Sequence, residues 1–360
     1  MPVLFDLRGA RSADIVTGTS PLAELQACLH VVAEPDHHPD AAPWLARVSE
    51  SITEDLRGQL AWFAPLWARR RSRFLLPLRG PLNADVDGEL TQVERMPIVR
   101  FVELTAETIG GGALDGSGLY DSVDQQAAFV AACDSRSFSR GELIRALFAD
   151  PEAFRGQLSN TLRHCVDQFF AAEWRRVEGR LHQDAEATRS KLVLPVAEFF
   201  AALSPTATPM LDGEAVRFDK LQNLRISTAG VRSLVIPTLH GRPHLLIRAD
   251  AGLPIVIQYP VSSDHAQVET LPIALVRERL SVLSDPVRLD LCRHLVNEGI
   301  TTSELARRTG MPPPQVSRHL AKLRNVDLLL STRSGRYVYH RLSVEKLRQI
   351  GPELLLAIVR

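Results

Sequence analysis

Gln315, Arg318, His319 and Lys322 recur at i, i+3, i+4 and i+7 in the stretch PQVSRHLAKLR, a spacing that sets all four on one face of a helix. Arginine can hold a guanine edge with two parallel hydrogen bonds and glutamine can do the same for adenine, while lysine neutralises phosphate. Val316, Leu320 and Leu323 are spaced to pack inward, and the Ser317 hydroxyl, like His319, is within reach of backbone oxygens or base edges. Ten residues beyond Leu323, RSGRY places Arg333, Arg336 and Tyr337 around a turn, where they would meet an adjacent backbone or minor groove. The chemistry offered by these types is the gripping of a duplex nucleic acid.

Such side chains need a frame, and the flanking sequence supplies one. LSDPVRLDLCRHL has Asp285 as a helix cap, Pro286 in the first turn and Val287, Leu291 and Leu295 as an apolar stripe. In TTSELARRTG, Thr301 and Glu304 have the spacing of a capping box. LLLSTRSGRYVYHRL then supplies two extended runs around Ser334 and Gly335. Helix, helix, turn, helix, hairpin is the order of a winged helix-turn-helix. Pro312, Pro313 and Pro314 stand at the mouth of the third helix. Because a proline pushes the residue before it out of the α region, Pro314 is expected to begin that helix.

LSDPVRLDLCRHL, TTSELARRTG, VSRHLAKLR and RSGRYVYHRL together resemble the ArsR/SmtB family of bacterial repressors in order and spacing, over about 90 of 360 residues. The resemblance implies a homodimer on a near-palindromic operator, with the helix at 314–325 in the major groove. Dimer pairing is expected through helices near 273–283 and 343–358, where Leu347, Ile350, Leu354 and Ile358 form a stripe. Family members often sense metals, but the places of the arsenic-type thiolates hold Thr301, Thr302 and Ser303. The zinc-type site would draw on the last helix, and SVEKLRQIGPELLLAIVR contains no histidine. No metal ligand and no cofactor are therefore assigned, and Cys292 reads as a core residue.

Other stretches are weaker. DHHPD at 36–40 reads as a surface loop, His240 and His244 as turn residues of HGRPH, and Arg69, Arg70, Arg71 and Arg73 as a solvated basic helix end. IGGGALDGSG, residues 109–118, lacks the GK[ST] of a P-loop and does not fit GxGxxG, so it reads as a flexible connection. HExxH and GxSxG are missing too. No catalytic residue is assigned, and the chain is read as a non-enzyme.

Charge divides the chain in two. Residues 271–360 carry 15 Arg and Lys against 8 Asp and Glu, leaving 27 against 34 for residues 1–270, a basic C-terminal quarter joined to an acidic remainder. The first 230 residues look mainly helical. Ser20–Pro21 starts one helix with Leu22, Leu25, Leu29 and Val32 on its stripe, and Asp150–Pro151 opens a proline-free run to about Lys191, roughly 60 Å at 1.5 Å per residue. VRSLVIPTL, HLLIRA and PIVIQYP read as a short antiparallel sheet near 231–260, and SSDHAQVET, 262–270, as a linker.

The expected fold class is mainly α with small β elements: a larger, mostly helical domain at 1–270 and a DNA-binding and dimerising winged helix at 271–360. No apolar run reaches the roughly 18 residues of a membrane span, and the N-terminus lacks the pattern of a signal peptide, so a cytoplasmic protein is expected. The four cysteines form no CxxC pair. The N-terminal part resembles the extension of long ArsR-type regulators of actinobacteria, and 38 arginines against 4 lysines fit a GC-rich genome. The function expected is that of a transcriptional regulator, a repressor by family, modulated through its N-terminal domain by a non-metal small molecule or a protein partner. The alternatives are a non-sensing DNA-bound scaffold and an enzyme domain with a DNA-binding tail.

Overall fold

A computed structural model of the chain describes residues 2–35, 38, 41–112, 114–210, 213–219, 224–242, 244–261, 271–296, 299–334 and 337–358. Its backbone contacts separate two units, residues 1–262 and 263–360. The stretch expected to be a linker, 262–270, lies outside the described residues.

The first unit is led by strands β1 (Pro2–Asp6) and β2 (Ile15–Thr17), followed by a run of helices. These are α1 (Pro21–Ala33), α2 (Ala42–Ser51), α3 (Glu54–Trp62), α4 (Val86–Glu94), α5 (Ile98–Ile109), α6 (Val123–Asp134) and α7 (Phe138–Ala149). Polar side chains fix where several begin: Ser20, Thr53, Asp85 and Ser122 each accept the N–H three residues on, satisfying a donor the helix itself leaves open. Asp150 does the same for α8 (Pro151–Cys165), which runs through a π-helical turn, Val166–Phe170, into α9 (Ala171–Ser190). The long element read from the sequence is thus continuous to Ser190, widened once by the π turn. The helices close over Leu25, Leu29, Trp67, Phe74, Phe101, Leu147, Phe154 and Phe170, all buried.

Two sheets complete this unit. After α10 (Val196–Ala201) come β3 (Ala207–Met210), β4 (Ala215–Asp219) and β5 (Leu224–Ser227), which join β1 in the order β3-β4-β1-β5. Phe5 of β1 packs edge-on against Phe200 and Phe218, with ring centroids 5.4 and 5.1 Å away. This sheet was not foreseen, because its strands are too short for periodicity to register, and β3 contains Pro209.

The sheet expected near 231–260 is present as β6 (Ser233–Thr238), β7 (Leu246–Arg248) and β8 (Ile255–Pro260), with β2 added, in the order β2-β6-β8-β7. Strands β7 and β8 pair antiparallel as expected, but β6 runs parallel to both β8 and β2, so the sheet is mixed. The physical reason is burial on both faces. Leu234, Ile236 and Val256 pack with Ala23 and Leu76, while Val235, Ile255 and Ile257 face the core around β1. A near-continuous apolar strand is the mark of a parallel, doubly covered sheet, and SLVIPT and IVIQYP have that character.

The basic run at 69–73 is also corrected. Arg69 is exposed, but Arg71 and Arg73 are buried. Arg73 donates to the carbonyls of Pro77 and Pro254, both at 2.9 Å, and lies 3.2 Å from Asp250; Arg71 donates to Gln258 at 2.9 Å. These guanidinium groups tie the helical body to the sheet instead of meeting solvent.

The second unit comprises α11 (Ile273–Leu283), α12 (Pro286–Leu295), β9 (Ile300–Thr301), α13 (Thr302–Thr309), α14 (Pro313–Asn325), β10 (Leu329–Ser334), β11 (Tyr337–Leu342) and α15 (Val344–Ile358). Its sheet has the order β10-β11-β9. Leu291, Leu295, Leu305, Val316, Leu320 and Leu323 form the core. Gly310, at φ 70°, ends α13 in the left-handed conformation that turns the chain toward α14. Arg279 of α11 is buried against both carboxylate oxygens of Glu353 in α15, at 2.7 and 2.6 Å, and its Nε donates to the Val326 carbonyl.

Candidate nucleic-acid interface

Helix α14 lacks a side-chain cap at its start, so its first turn rests on the prolines. The helix begins at Pro313, one residue before the expected Pro314, with Pro312 as the extended N-cap at ψ 137°. Pro313 and Pro314 fill the first two positions, where an N–H would have no helical partner and φ near −65° already suits the helix. That fit outweighs the pressure Pro314 exerts on Pro313 to be extended. The Pro312 carbonyl accepts from Gln315 and Val316, at 2.9 and 3.2 Å, and closes the turn.

Along α14, Val316, Leu320 and Leu323 are buried, whereas Ser317, Arg318, Ala321, Lys322 and Asn325 are exposed. Gln315 is half-buried at the helix mouth. His319 departs from the expected outer face, since it is half-buried and its Nδ1 has lost solvent. Burial, together with the Arg288, Lys322 and Arg318 charges, holds its imidazole below the ordinary histidine range, against an opposing pull from Asp285. His319 thus feels the charges of Asp285 and Arg288 at the start of α12. The solvent face is narrower than the sequence implied and centres on Ser317, Arg318 and Lys322.

The wing is the antiparallel hairpin of β10 and β11, in which Arg333 pairs with Val338 and Ser334 with Tyr337. Arg333 and Tyr337 are exposed, with the Tyr339 ring 6.4 Å from that of Tyr337. Arg336 lies outside the described residues. His340 faces inward on β11 and fixes the wing to the helices, with Nδ1 2.9 Å from Ser331 Oγ and Nε2 3.2 Å from Thr302 Oγ1. Burial lowers its pKa too. This brace was not read from the sequence; the available signal was a histidine at an inward position of an alternating strand.

Caps place the two preceding helices. Asp285 accepts from the Arg288 N–H at 3.1 Å and Thr301 from Glu304 at 3.3 Å. The Glu304 carboxylate is engaged by Arg307 and Arg308. Cys292 is buried in the core, and burial pushes its thiol up to about 11. It is therefore a poor thiolate at neutral pH.

Comparison with known proteins divides the chain as its contacts do. A family described as of unknown function, DUF5937, matches residues 1–265, and a helix-turn-helix domain matches residues 283–332. The chain belongs to the DUF5937 family. Beyond the DUF5937 part, the regulator KmtR of Mycobacterium tuberculosis is 37% identical over 78 residues, which are 22% of this chain and 60% of KmtR. The regulator NmtR of the same organism is 30% identical over 90 residues, 25% of this chain and 75% of NmtR. Both are named HTH-type transcriptional regulators. A solved ArsR-like transcriptional regulator from Rhodococcus sp. RHA1 shares 24% identity over 23% of this chain and 77% of its own, with a TM-score of 0.22. The C-terminal part of this DUF5937 chain is a helix-turn-helix domain of the ArsR/SmtB kind.

Proposed function

We propose that this DUF5937 protein is a DNA-binding transcriptional regulator, acting as a homodimer and a repressor on a near-palindromic operator. One observation carries the reading: α14, in a helix-turn-helix of ArsR/SmtB kind, presents Ser317, Arg318 and Lys322 to solvent beside the exposed Arg333 and Tyr337 of the wing. Arg318 is the base-reading residue, through the two-pronged hydrogen bonds a guanidinium makes to guanine, and Gln315 reads at the helix mouth. Lys322, Arg333 and Arg336 hold phosphates, with Ser317 and Tyr337 supporting the backbone contact, and His319 positions the helix.

Ile273, Leu280, Leu355 and Ile358 leave apolar surface exposed on α11 and α15, and a second copy covers it in this reading. Of the expected stripe, Ile350 is buried in the unit's own core with Leu347 half-buried against it, while Leu354 is half-buried and Ile358 exposed. The DUF5937 unit modulates DNA binding: a ligand or partner that prefers one arrangement of the dimer shifts it toward or away from the DNA-competent form, by no more than its differential affinity.

Footprinting on the DNA upstream of the protein's own gene tests the reading. Two protected half-sites about one helical turn apart support it; uniform protection that vanishes with competitor DNA would remove the operator-reading role.

A further inference from the structure

We propose that His30, His38 and His244 form a three-histidine site for a divalent transition metal of the zinc class in the DUF5937 unit. His30 lies in the last turn of α1, His38 in the segment that follows, and His244 beyond the turn after β6. One ring nitrogen from each lies within 4.8 Å of the other two, with ring centroids 4.9, 5.6 and 5.1 Å apart. His30 and His38 are buried and His244 is half-buried, which leaves an approach from one side.

The tautomers favour ligation. His30 Nδ1 is 2.9 Å from the Trp67 carbonyl and His38 Nδ1 is 2.6 Å from that of Arg242. A carbonyl only accepts, so each Nδ1 carries the hydrogen and each Nε2 keeps its lone pair. A metal-bound histidine is commonly oriented in this way, its second ring nitrogen donating to a backbone carbonyl.

The turn that presents His244 is held firmly. Its N–H donates to the Gly241 carbonyl at 2.9 Å, and Gly241 sits so close to Thr238 that a Cβ there would lie 2.6 Å from Thr238 Cγ2. His240, at the head of the turn, is clasped by Glu24 at 2.8 Å and Glu173 at 3.3 Å. One turn thus supplies both a ligand and, through Arg242, the carbonyl that orients another.

Apolar packing would be served by leucine at these places, whereas three imidazoles with a ring nitrogen each inside 4.8 Å form the donor set a cation takes. Imidazole donors suit zinc, copper, nickel and iron. Bonds of about 2.0–2.1 Å put tetrahedral nitrogens roughly 3.3 Å apart, so nitrogens now within 4.8 Å draw together by up to about 1.5 Å on binding. Three protein ligands leave a fourth position for water or a small ligand. DHHPD was read as a surface loop and HGRPH as an ordinary turn because some 200 residues separate them in sequence.

Cobalt(II) titration of the chelator-stripped full-length protein tests the proposal without DNA, so its outcome is separate from that of the regulator reading. One equivalent per chain should bind with the intense visible absorption of a tetrahedral ion, and zinc should displace it. His38→Asn and His244→Asn should each weaken binding by more than the roughly 10- to 100-fold cost of losing an orienting partner, with unchanged far-ultraviolet circular dichroism. Should either variant fail to fold, proton NMR of the cobalt form of wild type decides: two paramagnetically shifted, exchangeable Nδ1–H signals are expected from His30 and His38. Weak binding in wild type, equal binding in both folded variants, or the lack of those signals would overturn the site.

Discussion

Arg318 and Lys322 stand one turn apart on α14 and should fail differently when removed. The lysine is a compact charge suited to phosphate, so Lys322→Ala should weaken binding to all duplexes alike. It should also reduce the slope of log affinity against log salt by about 0.9, the contribution of one neutralised phosphate. A salt titration by fluorescence anisotropy reads this, and an unchanged slope would place Lys322 off the backbone. The prolines have a different role. Pro312 fixes the extended entry and Pro313 opens the helix, so replacing both by serine should leave the fold intact, by circular dichroism, and change operator affinity only modestly. An unfolded winged helix in that variant would mean the prolines hold the domain together.

At the scale of elements, α14 and the wing each carry a histidine withdrawn at least partly from solvent. His319 and His340 both have pKa values lowered by burial. Between the ordinary histidine pKa of about 6.5 and their lower folded values, the unfolded chain takes up protons that the folded chain refuses. Their contribution to stability is thus complete above about pH 6.5 and is lost as the pH falls. Urea midpoints of wild type should drop more steeply below pH 6.5 than those of His319→Gln or His340→Gln; parallel curves would contradict the linkage. The helices and wing of this unit were legible because caps such as Asp285 and Thr301 and the stripe Val316–Leu320–Leu323 are local signals. His319's inward turn was not, since its i+4 spacing from Gln315 marks a shared face but does not fix the width of the buried surface. The parallel pairing of β6 and β8 depends on helices packing over both faces, which a single strand's sequence only hints at.

The whole molecule joins two units of different legibility. The winged helix declares itself by motif, whereas the DUF5937 unit is built from long-range contacts, such as Arg73 with Pro254 or His38 with Arg242, that no local spacing records. The sequence expectation of a non-metal ligand rested on Thr301–Ser303 and the last helix, and the histidine cluster lies elsewhere, between α1 and the turn after β6. Dimerisation belongs at this scale as well. Leu280→Glu combined with Ile358→Glu places charge on the exposed apolar surface of α11 and α15, and should halve the mass seen by light scattering while leaving the helical content unchanged. A dimer that persists would move the interface to another face.

The central claim is that α14 reads DNA through Arg318. Its most direct measurement is the ratio of operator to non-specific affinity in a gel-shift competition, wild type against Arg318→Ala. The account predicts an operator loss of about 1–3 kcal/mol, with relaxed preference at one base pair and non-specific binding nearly unchanged. An unchanged ratio would contradict it.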